Sequence, residues 1–100
     1  MSLSISLVRA DGSIVESIHD IKNQLLAYLP DAKSGTLAGG IDEYGITQFN
    51  SLQIKQFIVQ WTDITERMTR ADDRALAAEV LRMAGRVVPA SHLYLRFVGD

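Results

Sequence analysis

The chain contains no cysteine. That removes disulfide staples, thiolate zinc sites and cysteine nucleophiles together, and fits a reducing cytoplasm. No apolar run approaches the ~20 residues that span a bilayer. The N-terminus has no basic segment of the kind that opens a secretory signal. Charge of either sign is scarce: 22% of the 100 residues are charged and the net charge is −2. A phosphate-tracking surface needs a basic stripe, so nucleic acid is not an expected partner, and neither is a membrane.

What is present is core-building sequence. A hydrophobic fraction of 47% supplies one core, and a chain of this length reads as a single domain over residues 1–100. Leu3, Ile5 and Leu7 alternate with Ser4, Ser6 and Val8, the mark of a half-buried strand. Asp11-Gly12 is a turn pair, so a hairpin into Ile14-Val15 is expected, with a loop leading straight into a helix as the alternative. From Ser17 the period changes: Ile18, Ile21, Leu25, Tyr28 and Leu29 recur at three and four, predicting a helix over 17–29 that Pro30 ends. Residues 31–40 read as a loop. A hairpin across Asp42-Glu43-Tyr44-Gly45 follows, with Gly45 where a positive φ is wanted.

Asn50 with Gln53 has the spacing of a capping box. Behind it Ile54, Phe57, Ile58, Trp61, Ile64 and Met68 make the strongest helical stripe in the chain. Leu76, Ala77, Val80, Leu81, Ala84, Val87 and Val88 make a second, with Thr69 or Asp72 able to cap it. After Pro89, Leu93, Leu95 and Phe97 alternate with His92, Tyr94, Arg96 and Val98 as a closing strand. The expected fold class is α+β: a single small sheet of three to five mostly antiparallel strands, covered on one face by three helices.

The pattern Asp42-x-x-Gly45-x-Thr47-x-Phe49-Asn50-x-x-Gln53, paired with the ending Leu93-Tyr94-Leu95-Arg96-Phe97-Val98-Gly99-Asp100, resembles a group of small uncharacterised bacterial proteins. The likeness covers roughly the second half of the chain. It implies a bacterial, single-domain protein and carries no activity.

Chemistry is sparse. His19 and His92 stand alone, and Asp42, Glu43 and Asp100 lack the oxygen-rich spacing of a calcium loop, so no metal site is expected. The glycines of 35–40 lack the Gly-Lys-Ser/Thr ending of a phosphate loop, and no serine sits in a Gly-x-Ser-x-Gly elbow, so no cofactor and no catalytic residue is assigned. Arg67, Arg70, Arg74, Arg82 and Arg86 lie among Glu66, Asp72, Asp73 and Glu79 and are expected to pair with them.

The expected function is therefore binding without catalysis, by a cytoplasmic module whose partner is a protein, an immunity or antitoxin-type protein being one concrete form. The partner-facing residues are Asp42, Glu43, Tyr44, Thr47 and Gln48, an acidic turn that would steer a basic surface. The alternative is a small-ligand protein or enzyme with a pocket at the sheet–helix boundary near His92, Tyr94 and Arg96, which strand alternation would place on one side. A homodimer using the open sheet face or edge is a third possibility.

Overall fold

The alternation of residues 3–9 builds β1 (Leu3–Arg9), and its antiparallel partner β2 (Ile14–His19) returns across a tight turn. Gly12 takes φ 90° there and the Asp11 carboxylate accepts the Ser13 N–H at 2.9 Å. The computed structural model describes residues 2–89 and 91–99, so Asp100, weighed above as a metal ligand, lies outside the described residues. β3 (Ile46–Phe49) and β4 (Leu93–Gly99) complete a sheet of order β2-β1-β4-β3, antiparallel throughout. Two α-helices, α1 (Ile54–Glu66) and α2 (Ala71–Ala84), join β3 to β4. The described residues thus form a small α+β domain.

One face of the sheet is the core face. Register places Leu7 beside Leu95, Ile5 beside Phe97, and Phe49 beside Leu95, and every one of these side chains is buried. Phe57 and Trp61 of α1 close over them. The Phe57 and Trp61 rings stack at 5.4 Å, and Phe97 lies 5.7 Å from Phe57. Trp61 is fully buried, and its indole N–H donates to the Ala77 carbonyl of α2 at 2.9 Å, which ties the two helices together. The capping box forms as its spacing suggests: Asn50 Oδ1 accepts the N–H groups of Leu52 and Gln53, and Gln53 Oε1 accepts that of Asn50, each at 2.9 Å.

The expected first helix is not there. Residues 17–19 extend β2, because pairing with Ser4, Ile5 and Ser6 already satisfies their backbone. Asp20, fully buried, then turns the chain. Its two carboxylate oxygens accept the N–H groups of Gln24 and Leu25, each at 2.7 Å, offering the backbone a partner that competes with a helix. Only a single 3-10 turn, Leu26–Tyr28, remains of the helical character. Ile21, placed on the predicted stripe, is 86% exposed. Two further 3-10 turns, Ala32–Ser34 and Ala38–Gly40, lead to β3. Residues 42–45 follow the last of these turns rather than a strand, so the segment is a turn and not a hairpin, and Gly45 does not take a positive φ. Neither Thr69 nor Asp72 occupies the cap position of α2: Arg70 does, without a side-chain bond to the helix's first N–H groups, while Asp72, inside the first turn, accepts the Asp73 N–H at 3.0 Å.

The other sheet face is open at its edge strands, where Ile14, Ser17, His19, Ile46 and Gln48 are exposed, while Ser6 and Val8 at its centre are buried. Across it run Ile46, Val98, Ser4 and His19; then Gln48, Arg96, Ser6 and Ser17; then Tyr94, Val8 and Ile14. Side-chain bonds bridge the serine positions, with Ser6 Oγ 3.0 Å from Ser17 Oγ and Ser4 Oγ 2.8 Å from His19 Nδ1.

Candidate functional site

The turn over residues 42–45 is braced from three sides. The Asp42 carboxylate accepts the Tyr44 N–H at 2.9 Å, and the Asp42 N–H donates to Thr47 Oγ1 at 2.9 Å. Gly99, at the end of β4, donates its N–H to the Gly45 carbonyl at 2.7 Å. A side chain at Gly99 has no room: a Cβ there would lie 2.1 Å from the Glu43 carbonyl oxygen. At Gly45 the crowding is milder: a Cβ would lie 2.6 Å from Asp42 Oδ2, a side-chain atom that would have to swing aside. Glycine serves close approach here, not an unusual dihedral.

This bracing sorts the five sequence candidates. Thr47 spends its hydroxyl inside the turn, accepting from Asp42 and reaching the Gly40 carbonyl at 3.4 Å. Gln48 lies at the open edge of the other sheet face, where its Oε1 accepts from Arg96 Nε at 3.0 Å. Asp42 is exposed, with one oxygen committed to the turn. Tyr44 is 66% exposed, and Ile46 two residues on is 68% exposed. Glu43 is half-buried and lines a cleft of about 220 Å³ with Leu26, Leu29, Pro30 and Ile41. Among the described residues no hydrogen bond or ion pair reaches its carboxylate.

The alternative site does not assemble as a set. Tyr94 and Arg96 do share that other face. His92 precedes β4, in a turn with φ 56°, exposed, so alternation does not carry it to their side.

A polar cluster elsewhere replaces an expected pairing. Asp73, expected to meet an arginine, is 5% exposed and accepts instead from Gln24 Nε2 at 2.7 Å and from the Tyr28 hydroxyl. The hydrogen bond to that carboxylate, reinforced by burial, raises the Tyr28 phenol above its ordinary value. A second cleft, of about 300 Å³, opens beside it between Lys22, Gln24, Tyr28 and Arg70. The signal was available: Asp73 falls one turn before Ala77 on the stripe that continues through Val80 and Ala84, so it had to be a buried acid with partners.

Two of the five arginines take the partners expected, Arg70 with Asp72 at 3.3 Å and Arg82 with Glu79 at 2.8 Å; Arg67 pairs with Asp63 instead, Arg86 with Glu16, and Arg74 donates to the Met68 carbonyl at 3.0 Å. Arg82 and Arg86 also converge on Glu16 of β2. Their hydrogen bonds, Arg82 foremost, hold the Glu16 carboxyl below its ordinary value.

Comparison of the chain with protein-family models, with curated proteins and with solved structures gives no significant match. Among the described residues, no helix is long and apolar enough to cross a membrane.

Proposed function

We propose that this chain is a non-catalytic, cytoplasmic protein-binding module of a bacterium, of the immunity or antitoxin type, which docks a basic protein surface against the edge formed by residues 42–46. The observation that carries the reading is the exposure of Tyr44 and Ile46, each about two-thirds open, beside two carboxylates on a turn held by its own hydrogen bonds. An aromatic and an aliphatic side chain offer anchors, and the carboxylates steer a cationic partner. Because the turn is already braced, docking does not have to order it.

The test is capture from the native host with three baits across a salt series. The first is wild type. The second is Tyr44→Ala/Ile46→Ser. The third is Asp42→Asn/Glu43→Gln, which removes both charges while the amide oxygen introduced at position 42 can still accept the Tyr44 N–H. Retention should fall for both variants, and the charge variant should lose most of the salt dependence. A partner held by both with unchanged affinity and salt dependence places the interface elsewhere.

A further inference from the structure

Glu43 differs from the other acids buried or half-buried in the fold. Its side chain is half-buried at a cleft and its carboxylate takes no bond from the described residues, whereas both buried aspartates, Asp20 and Asp73, are fully engaged. No unbonded side-chain oxygen is sealed from water among the described residues, so this carboxylate stays hydrated at the cleft, and the group complementary to it is cationic or a strong donor. The residues lining the cleft include no cation.

The dimensions narrow the occupant. A volume of about 220 Å³ lies below the ~300–1,000 Å³ of ordinary small-molecule pockets. It suits one extended side chain better than a cofactor. Leu26, Leu29, Pro30 and Ile41 give the cleft apolar side chains, polar atoms make up the larger share of its exposed lining, and its one charge is negative. An aliphatic occupant would leave Glu43 unpaired, and an acidic one would be repelled. A side chain with a methylene stem and a cationic head satisfies both parts of the lining. The cleft is also preformed. Asp31 caps the 3-10 turn at its rim through the Lys33 N–H at 2.8 Å, and Gln60 Oε1 of α1 accepts the Leu37 N–H at 2.9 Å.

We propose that this cleft is the socket for one arginine or lysine side chain of the protein partner, with its stem against Leu29 and Ile41 and its head on Glu43. The assignment rests on reading residues 42–46 as the partner-facing edge, and it names the residue type that edge selects.

The test uses fragments, so it does not need the partner. Isotope-labelled protein is titrated with butylguanidinium and with butylammonium, and separately with butanol and with butyrate, following backbone amide shifts. Both cations should give saturable shifts at Leu26, Ala32, Gly39 and Ile41, with dissociation constants on the order of 1–10 mM. Butanol should bind at least several-fold more weakly and butyrate should not saturate. In Glu43→Gln, which keeps the side-chain shape, the cations should fall to the level of butanol while the remaining spectrum stays that of the folded protein. The socket is overturned if wild type binds the cations no better than butanol, if Glu43→Gln keeps the preference, or if the shifts lie elsewhere. Such a failure leaves the edge itself to be decided separately, by the capture experiment with Tyr44→Ala/Ile46→Ser. Conversely, a positive titration with no effect of that variant on capture keeps the cation site and removes the edge.

Discussion

Replacing Trp61 by phenylalanine separates two contributions to the core. The indole N–H bond to the Ala77 carbonyl, 2.9 Å long and fully buried, is worth about 1 kcal/mol net. The lost fused ring removes contacts comparable to about two buried methylene groups, ~0.8 kcal/mol each. The stacking partner Phe57 stays in place and the smaller ring can still meet it. The sum is about 2–3 kcal/mol. A domain of this length holds about 5–15 kcal/mol in all, so the variant folds but melts early. At ~4–8 °C per kcal/mol for this size, the expected fall in Tm is about 8–24 °C. Far-UV circular dichroism reads it without depending on the only tryptophan, and Trp61→Ala should cost more, about 3–5 kcal/mol. A Trp61→Phe variant that melts within about 2 °C of wild type would show that neither the bond to α2 nor the ring volume stabilises the fold at the scale of these principles.

Gly99→Ala should cost about 1–3 kcal/mol by denaturant titration, because a Cβ 2.1 Å from a backbone oxygen forces the 42–45 turn off β4; wild-type stability would refute the close packing. Asn50→Ala should lower stability by about 0.5–2 kcal/mol without changing the fold, and an unchanged melt would remove the cap from the account. Glu16 has its folded-state pKa depressed by Arg82 and Arg86, so its contribution is present above the ordinary value of 4.5 and is lost as pH falls through the folded value. Glu16→Gln should therefore flatten the acid limb of the stability–pH curve, and an identical limb refutes the triad. Tyr28 is shifted upward, so its contribution is present below its ordinary value of 10.0 and is lost as pH rises through the folded value. Tyr28→Phe should flatten the alkaline limb, and a limb that falls as steeply as in wild type refutes the role of the Asp73 bond.

The elements that were legible share a physical property: one face meets a core of uniform character. β1, β4 and both α-helices show clean periods because Leu3, Ile5 and Leu7, or Phe57, Trp61 and Ile64, all point at the same apolar interior. The helix expected over 17–29 failed because spacing alone does not reveal a competing partner. Ile18 belongs to a strand, Ile21 faces solvent, and Leu25 is drawn in by the Asp20 carboxylate rather than by a helical ladder. The cleft that Glu43 lines is built from two non-periodic segments, residues 26–32 and 39–43, and nothing in their order along the chain announces that they meet.

The residues that looked most like a motif divide between folding and exposure. Gly45, Thr47, Asn50 and Gln53 each answer to a neighbour within the turn or the helix start. That agreement between local signals is what a well-specified fold requires, and it means that the density of signals around residues 42–53 reflects construction first. What construction leaves over is more informative. Tyr44 and Ile46 are exposed apolar side chains, and Glu43 is a half-buried residue whose charge no described residue answers. Exposed apolar side chains also occur at Ile14, Ile21, Leu52 and Val59; what distinguishes residues 43–46 is that two such side chains stand beside a carboxylate with no partner among the described residues. A partner that covers the two apolar side chains and places a cation on the carboxylate would use both features in one contact, which is why the edge and the cleft beside it are assigned to the same event.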